Sequence, residues 1–191
     1  MNKKESFGLL INPFTRIAGW EAVFAGLIIN FLIVFSGWYG HMIFDGAIDI
    51  HLVPTIGFGN ALALYGAGLV ALLLSMLAAS FFTSKSFRFI DVAGTLLLSK
   101  TPYLLAALFA HFVTMPDMVN LVRDPSILLK AGSFIILLIL ILIVTVWHIT
   151  LMYNAMKVSC GVKGNKFTVV FILALFIAEI VSKTIIYFFI K

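Results

Sequence analysis

Charged residues are scarce in this 191-residue chain: Asp, Glu, Lys and Arg make up 11% of it, against about a quarter in soluble domains. Hydrophobic residues make up 62%, and the mean hydropathy is +1.14. A chain so poor in charge cannot cover a water-facing surface, which excludes a soluble domain and indicates that lipid is the main solvent. The formal net charge of +5 comes from Lys and Arg scattered between apolar runs. That pattern fits contact with anionic headgroups and argues against nucleic acid as a partner.

Cysteine and catalytic motifs are also sparse. The single cysteine, Cys160, excludes an intrachain disulfide. The sequence has no Gly-x-Ser-x-Gly elbow, no phosphate-binding glycine loop, no His-Glu-x-x-His and no Cys-x-x-Cys. We therefore expect no enzymatic activity and no cofactor.

The loop after the first apolar run contains four potential metal ligands, His41, Asp45, Asp49 and His51. Steps of four residues would align three of them on a helix, and His and Asp side chains can bind zinc. Gly46 interrupts the segment, however, and no cysteine or Glu-x-x-His pattern accompanies it. We interpret the segment as a solvated loop and expect no metal site.

Five apolar runs reach the roughly 20 residues that a helix needs to cross a bilayer. They cover about residues 19–39, 60–82, 92–115, 132–155 and 168–190. The runs are continuous and lack period-two alternation, which favours a helical bundle over a barrel. The sequence thus predicts an all-α, polytopic transmembrane bundle that forms a single domain over residues 1–191.

The segment before the first span, residues 1–18, mixes apolar and polar side chains. Phe7, Ile11 and Phe14 alternate there with Asn12 and Arg16. This mixture predicts a short element lying in the cytoplasmic membrane interface. A frayed tail is the alternative.

Lysine and arginine are distributed unevenly between the two sides of the predicted bundle. If the N-terminus is cytoplasmic, eight lie on that side, namely Lys3, Lys4, Arg16, Lys85, Arg88, Lys157, Lys163 and Lys166. Three lie on the outer side, namely Arg123, Lys130 and Lys191. The positive-inside rule therefore predicts a cytoplasmic N-terminus, and five spans then place the C-terminus outside.

Two spans carry small residues at steps of four, which place them along one face of a helix. The first has Ala18, Ala22, Gly26 and then Asn30, and the second has Ala63, Ala67, Ala71, Ser75 and Ala79. In lipid, small residues let helix backbones approach closely. We expect both stripes to pack against neighbouring helices, and pairing of these two helices with each other is one way to do so. The alternative is that alanine is simply common in membrane helices.

Lys100 and Pro102 stand two residues apart inside the third apolar run. Proline has no amide donor and clashes with the carbonyl four residues earlier, which is that of Leu98. The helix should therefore kink here, and the kink should face protein because lipid offers the freed carbonyl no partner. Ser99, Thr101 or the Lys100 ammonium could supply that partner.

The Lys100 charge needs compensation, since a lysine at a helix centre costs about 2.5–3.5 kcal/mol on insertion scales. Two carboxylates lie within other spans. We predict that Glu179 pairs with Lys183, one turn later and in the favourable Glu-before-Lys order. Glu21 has no such partner, so a Glu21–Lys100 contact is one hypothesis. A lysine that snorkels to the headgroups without a partner is the other.

Polar residues of the fourth span, among them His148 and Asn154, follow the wholly apolar stretch FIILLILILIV. Together with Glu21, Lys100 and Pro102 they form a candidate intramembrane polar cluster. The alternative is that these side chains only bond to carbonyls across helices.

The order of these features resembles the Yip family of small integral membrane proteins, named for interaction with Ypt/Rab GTPases. The resemblance rests on LLINPFTRI before the first span, a second span rich in small residues, a proline in the third, and TVWHITLMYNAMKVSCGVKGNK before the last apolar helix. Its best part is the tryptophan-bearing stretch 147–155, followed by the glycine-containing loop 161–164.

The resemblance implies five membrane helices, a cytoplasmic N-terminus, no enzymatic activity, and action through hetero-oligomers in vesicle traffic and membrane shaping. The compact form is similar to the bacterial members, which implies a multi-pass protein of the bacterial inner (cell) membrane. The longer N-terminal cytosolic region of eukaryotic members is missing, which argues against a Rab-type GTPase partner. The partners we expect are the lipid bilayer and other membrane proteins in a homo- or hetero-oligomer.

Two functional hypotheses follow. The first is a non-enzymatic membrane protein that acts through helix association or on membrane organisation and trafficking. The alternative is a small transporter, channel subunit or lipid-moving protein with a polar path near Lys100. A transporter should show a wet cavity reaching from Lys100 to one membrane face.

Overall fold

A computed structural model describes residues 8–53, 55–116, 121, 123–124, 126 and 131–189. About 75% of the chain is helical, and five helical segments are long and apolar enough to cross a membrane. The prediction of an all-α bundle of a multi-pass membrane protein is confirmed at this level. The first seven residues of the predicted interfacial segment, and residue 190 of the fifth predicted span, lie outside the described residues.

The helices follow the apolar runs, with one interruption. They are α1 Gly19–Tyr39, α2 Phe58–Thr83, α3 Phe89–Ser99, α4 Pro102–Ala110, α5 Gly132–Ser159 and α6 Asn165–Phe189. Helices α3 and α4 together form the third span, which starts before the predicted residue 92 and ends before the predicted residue 115. Gly161 and Gly164 adopt positive φ in the short turn between α5 and α6, where a side chain would be strained.

The first small-residue stripe packs against the third span, and its last member, Asn30, also contacts Tyr65 of the second helix. The suggested pairing of the first two helices with each other is therefore not their main contact. Helix α1 runs along α3, whereas α2 runs along α6. A Cβ added at Gly26 would lie 2.5 Å from Leu97 Cβ, and one added at Gly94 would lie 2.9 Å from Ala22 Cβ. The stripe therefore brings the α1 and α3 backbones into close contact. Ala18, which precedes the helix, is exposed.

The second stripe is buried over most of its length, which fits close packing of α2 on its neighbours. Ala67, Ala71, Ser75 and Ala79 are buried, whereas Ala63 is exposed. Ala71 and Ala79 are at most 4% exposed. The stripe is thus buried inside the bundle from its second member, Ala67, onward.

The loop between α1 and α2 turns back into the bundle, so the prediction of a solvated loop is wrong. It contains two short antiparallel strands, β1 Met42–Ile43 and β2 His51–Leu52, with Met42 opposite Leu52 and Ile43 opposite His51. Residues 42–47 are buried. We call the turn between the strands, residues 45–49 with the sequence DGAID, the inserted tip.

Glycine allows the inserted tip to enter. A Cβ added at Gly68 of α2 would lie 2.6 Å from the carbonyl oxygen of Gly46, and one added at Gly46 would meet the Glu179 carboxylate. Neither site has room for even a methyl group. Gly46, which argues against a helical metal site in the sequence, is therefore also the residue that lets the tip fit into the bundle.

The segment before α1 is docked on α5 and is not a frayed tail over its described part. Residues 8–11 are helical, and Pro13–Thr15 forms a 3-10 turn. Phe14 is buried against Leu151 and Ala155 of α5. Trp147 Nε1 donates to the Leu10 carbonyl at 2.8 Å, and Asn154 Nδ2 donates to the Ile11 carbonyl at 3.0 Å.

The close α1–α3 contact predicts opposite effects for two glycine-to-alanine changes. Alanine in a helix is favoured over glycine by up to about 1 kcal/mol, so Gly66→Ala, which meets no atom within 4 Å, should raise the stability slightly. Gly26→Ala should instead lower it by about 1–3 kcal/mol because the added methyl collides with Leu97. Thermal unfolding of both variants in one detergent measures this, and equal midpoints would contradict the described packing.

Candidate functional site

The third span is broken rather than merely kinked. Helix α3 ends at Ser99, residues 100–101 form a turn, and α4 begins at Pro102, where no intrahelical donor is needed. The Leu98 carbonyl accepts the Thr101 amide at 3.1 Å and the Thr101 hydroxyl at 2.6 Å. Of the three candidate partners for this carbonyl, Thr101 is the one the structure uses.

Side chains from two other helices bond to the remaining carbonyls of the break. From α1, Asn30 Nδ2 donates to the Leu97 carbonyl at 2.9 Å, and Asn30 Oδ1 accepts the hydroxyl of Tyr65 from α2. From α5, His148 Nδ1 lies 2.8 Å from the Ser99 carbonyl oxygen. Because a carbonyl oxygen only accepts, His148 carries its proton on Nδ1. The break is therefore the point at which two helices, α1 and α5, are hydrogen-bonded to the third span, and α2 is bonded to α1 beside it.

Lys100 is compensated inside the protein. It is 1% exposed, and its ammonium donates to the Ala47 carbonyl of the inserted tip at 3.2 Å. The ammonium also lies over the rings of Tyr65 and Tyr103, at 5.2 Å and 5.6 Å from their centroids. Desolvated cation–π contacts can each contribute about 2 kcal/mol. The hypothesis that Lys100 snorkels to the headgroups without a partner is therefore wrong.

The structure does not bring Glu21 to Lys100. Glu21 is exposed in the first turn of α1, whereas Lys100 follows the end of α3 and is fully buried beside the tip. The hypothesis of a Glu21–Lys100 contact is therefore wrong. The partner is instead the backbone carbonyl of Ala47, supplied by the loop for which a solvated position is predicted.

Helix α6 contacts the same tip from the opposite side. The Ile48 amide donates to Glu179 Oε2 at 3.2 Å, while the Ile48 carbonyl accepts the Tyr103 hydroxyl at 2.9 Å. The peptide units of Ala47 and Ile48 are thus bonded on one side by Lys100 and Tyr103 and on the other by Glu179.

Lys183 continues this contact with the acidic residues of the tip. Its ammonium lies 2.8 Å from Asp49, 3.1 Å from Asp45 and 3.8 Å from Glu179. The Glu179–Lys183 pair is present, but it is the longest of the three ion pairs. The other two join residues more than 130 positions apart in the chain, such as the 138 between Asp45 and Lys183. A sequence pattern within one helix gives no signal for such pairs.

The Asp45, Asp49 and His51 side chains each offer one ligand atom, and these atoms lie within 4.8 Å of one another. That spacing could hold a metal ion. His51 Nδ1 is 2.7 Å from Asp45 Oδ1, and the Lys183 ammonium is the cation that lies beside both carboxylates. The group is accessible, with His51 52% and Lys183 38% exposed at their side chains.

The candidate polar cluster predicted from the sequence is only partly assembled. Lys100, Pro102 and His148 lie together at the break, and the His148 ring is 4.7 Å from that of Tyr103. Asn154 lies about 9 Å further along α5, by the usual rise of a helix, and bonds to the N-terminal segment instead. Glu21 is also outside the cluster. Asn30, Tyr65, Tyr103 and Ala47 are the members that sequence reasoning missed, although Asn30 stands in the small-residue stripe.

Comparison of the chain with protein-family models, with curated proteins and with solved structures found no match. Its function is therefore argued from the geometry above.

The buried contacts of Asn30 predict that removing its side-chain amide lowers the stability of the protein markedly. Asn30→Leu leaves the Tyr65 hydroxyl without its acceptor and removes a donor from the Leu97 carbonyl, which should cost about 1–3 kcal/mol. Asn60→Leu, at an exposed position in the first turn of α2, is the matched control and should leave the unfolding midpoint unchanged. Equal midpoints for the two variants would show that the break does not depend on Asn30.

Proposed function

We propose that this chain is a non-enzymatic integral membrane protein that acts through helix association or on membrane organisation, as its resemblance to the Yip family implies. The observation that carries the proposal is the burial of Lys100, which is 1% exposed and bonded to Ala47. A lysine in contact with a wet pathway would be exposed to water-sized space. Lys100 therefore stabilises the bundle and does not line an open path.

One exposed helix face supports the association half of this proposal. Gly59, Ala63 and Gly66 of α2 are spaced by four and three residues, which places them on one face. A Cβ added at Gly59 or Gly66 would meet no atom within 4 Å, and Ala63 is exposed. Such a face lets a transmembrane helix of another chain approach closely. The partner we propose is a membrane protein, either a second copy of this chain or a different one.

We propose that the chain lies in a bacterial inner (cell) membrane, as the resemblance implies. The distribution of charge supports an orientation with the N-terminus in the cytoplasm. One end of the bundle carries six basic residues, Arg16, Lys85, Arg88, Lys157, Lys163 and Lys166. The opposite end carries Asp45, Asp49 and Glu179 with Lys183, and the connection between α4 and α5 on that side contains Arg123. We call these the basic end and the acidic end. By the positive-inside rule, the basic end and the N-terminus face the cytoplasm, and the C-terminus faces outward.

The orientation predicts which positions a membrane-impermeant maleimide reaches on intact cells. In a Cys160→Ser background, His41→Cys at the acidic end should be labelled at once. Lys85→Cys and Lys163→Cys at the basic end should be labelled only after the membrane is permeabilised. All three positions are exposed, so burial does not confuse the result, and the reverse pattern would contradict the orientation.

A second candidate function is transport, and one observation favours it. Lys100 and Glu179, of opposite charge, contact the same peptide unit of the inserted tip from opposite sides, at the Ala47 carbonyl and the Ile48 amide. Intramembrane ionisable residues often mark a transport path. A path here requires the tip to move, because the tip fills the space between these two side chains.

Reconstitution and crosslinking separate the two functions. Proteoliposomes containing the purified protein should move neither a fluorescent phospholipid across the bilayer nor an entrapped solute. Crosslinking in native membranes should yield a defined product that Gly66→Leu abolishes, since the new side chain blocks close approach. Val169→Leu, at an exposed position of α6, is the control and should leave the product intact. Flux that Lys100→Met abolishes in a folded protein would instead establish the transport function.

A further inference from the structure

The inserted tip connects α6 with the break in the third span. Among the described helices, α6 packs mainly on α2, whereas α1 and α5 each pack on α3 and α4. Helix α2 also contacts α1 near the acidic end, where Phe58 lies against Phe35 and Trp38. At the basic end, Tyr153 of α5 contacts the rings of Phe167 and Phe171 of α6, at 5.1 Å and 5.3 Å. Toward the acidic end, Glu179 and Lys183 of α6 contact the tip, and the tip contacts Lys100 and Tyr103.

The tip is held by polar contacts rather than by apolar packing of its own side chains. Its sequence, DGAID, has one large apolar side chain, Ile48, which is only partly buried. The residue before it, Phe44, is 2% exposed and stacks on Tyr103 at 5.2 Å, so it can act as the fixed anchor. The contacts to Lys183 are partly exposed ion pairs, which contribute little each and weaken in salt.

Two buried polar atoms behind the tip have no hydrogen bond while the tip is in place. The Lys100 ammonium has three N–H donors; Ala47 accepts from it, and the rings of Tyr65 and Tyr103 lie beneath it. His148 is fully buried, and its Nε2 acceptor has no hydrogen-bond partner in the described part of the chain. One oxygen of Glu179, Oε1, is likewise buried without a hydrogen bond there, and its ion-pair partner is the Lys183 ammonium at 3.8 Å. Buried polar atoms of this kind are rare and call for an explanation.

We propose that the inserted tip is a displaceable plug, and that its withdrawal opens a polar cleft between α6 and the break in the third span. The cleft opens toward the acidic end and is lined by Lys100, Tyr103, His148 and Glu179. Lys183 holds the plug at its accessible side through Asp45 and Asp49, whereas Lys100 holds it at its sealed side. The inference does not depend on the proposed function, because an association protein could carry the same device.

The rate of thiol modification at the tip tests the plug in nanodiscs, where both faces are accessible. The reporter is Ala47→Cys in a Cys160→Ser background, and the reagent is a negatively charged methanethiosulfonate. Ala47 is fully buried, so the reporter should react slowly compared with the exposed His41→Cys. Adding Lys183→Met removes the ion pairs to Asp45 and Asp49 together and should raise the rate severalfold.

The controls separate opening of the plug from other effects. Removing a positive charge weakens attraction of the negative reagent, so local electrostatics cannot produce the acceleration. Lys166→Met, at an exposed position in the first turn of α6, should leave the rate unchanged. If Ala47→Cys fails to assemble, Ile48→Cys serves as the reporter.

The native cysteine reports on the rest of the bundle. Cys160 is buried at the basic end, its thiol donates to the Ser80 hydroxyl at 3.3 Å, and burial raises the pKa of the thiol. In Lys183→Met with native Cys160 and no other cysteine, it should stay unreactive. Equal tip rates for Lys183→Met and Lys166→Met would overturn the plug. Simultaneous exposure of Cys160 would also overturn it, because the whole bundle would then be opening.

Discussion

Water is absent from the bilayer core, so a carbonyl freed by proline has to find its partner within the protein. That constraint organises the centre of this bundle. Pro102 frees the Leu98 carbonyl, which Thr101 of the same span bonds, and the end of α3 exposes those of Leu97 and Ser99, which Asn30 of α1 and His148 of α5 bond. The positions of these two helices are thereby set relative to one break. Lys100 lies in this break, and its charge draws the Ala47 carbonyl, and with it the whole inserted tip, into the bundle.

Two kinds of contact hold the bundle together, close packing of small residues and polar contacts between helices. Close packing of small residues brings α1 to α3, since Gly26 and Gly94 leave no room for a side chain, and α2 packs along α6. Packing of this kind has no driving force from water in lipid and depends on shape. Polar contacts then connect the packed pairs, because each unsatisfied group in hydrocarbon would be costly. Hydropathy therefore determines which segments form membrane helices. Hydrogen bonds and ion pairs determine which of these helices contact each other.

Much of the fold could be predicted from the sequence because its causes are local. Apolar length defines the spans, and the effect of Pro102 on the Leu98 carbonyl follows from covalent geometry. The partners could not be predicted, because they depend on contacts between distant segments. A stripe of alanines says that a helix packs closely but does not say on which neighbour. The sequence of the tip, rich in aspartate, is typical of a solvated loop, and only Lys100, Glu179 and Lys183 together explain why it is inserted.

The docked N-terminal segment has a consequence for the order of assembly during synthesis. Its carbonyls at Leu10 and Ile11 are bonded by Trp147 and Asn154, and Phe14 is buried on the same helix, α5. The ribosome makes that helix more than a hundred residues later, so the start of the chain has no binding surface until the fourth span has left the insertion machinery. The beginning of this polypeptide is therefore among the last of its parts to reach its final position, and its docking marks a nearly completed fold.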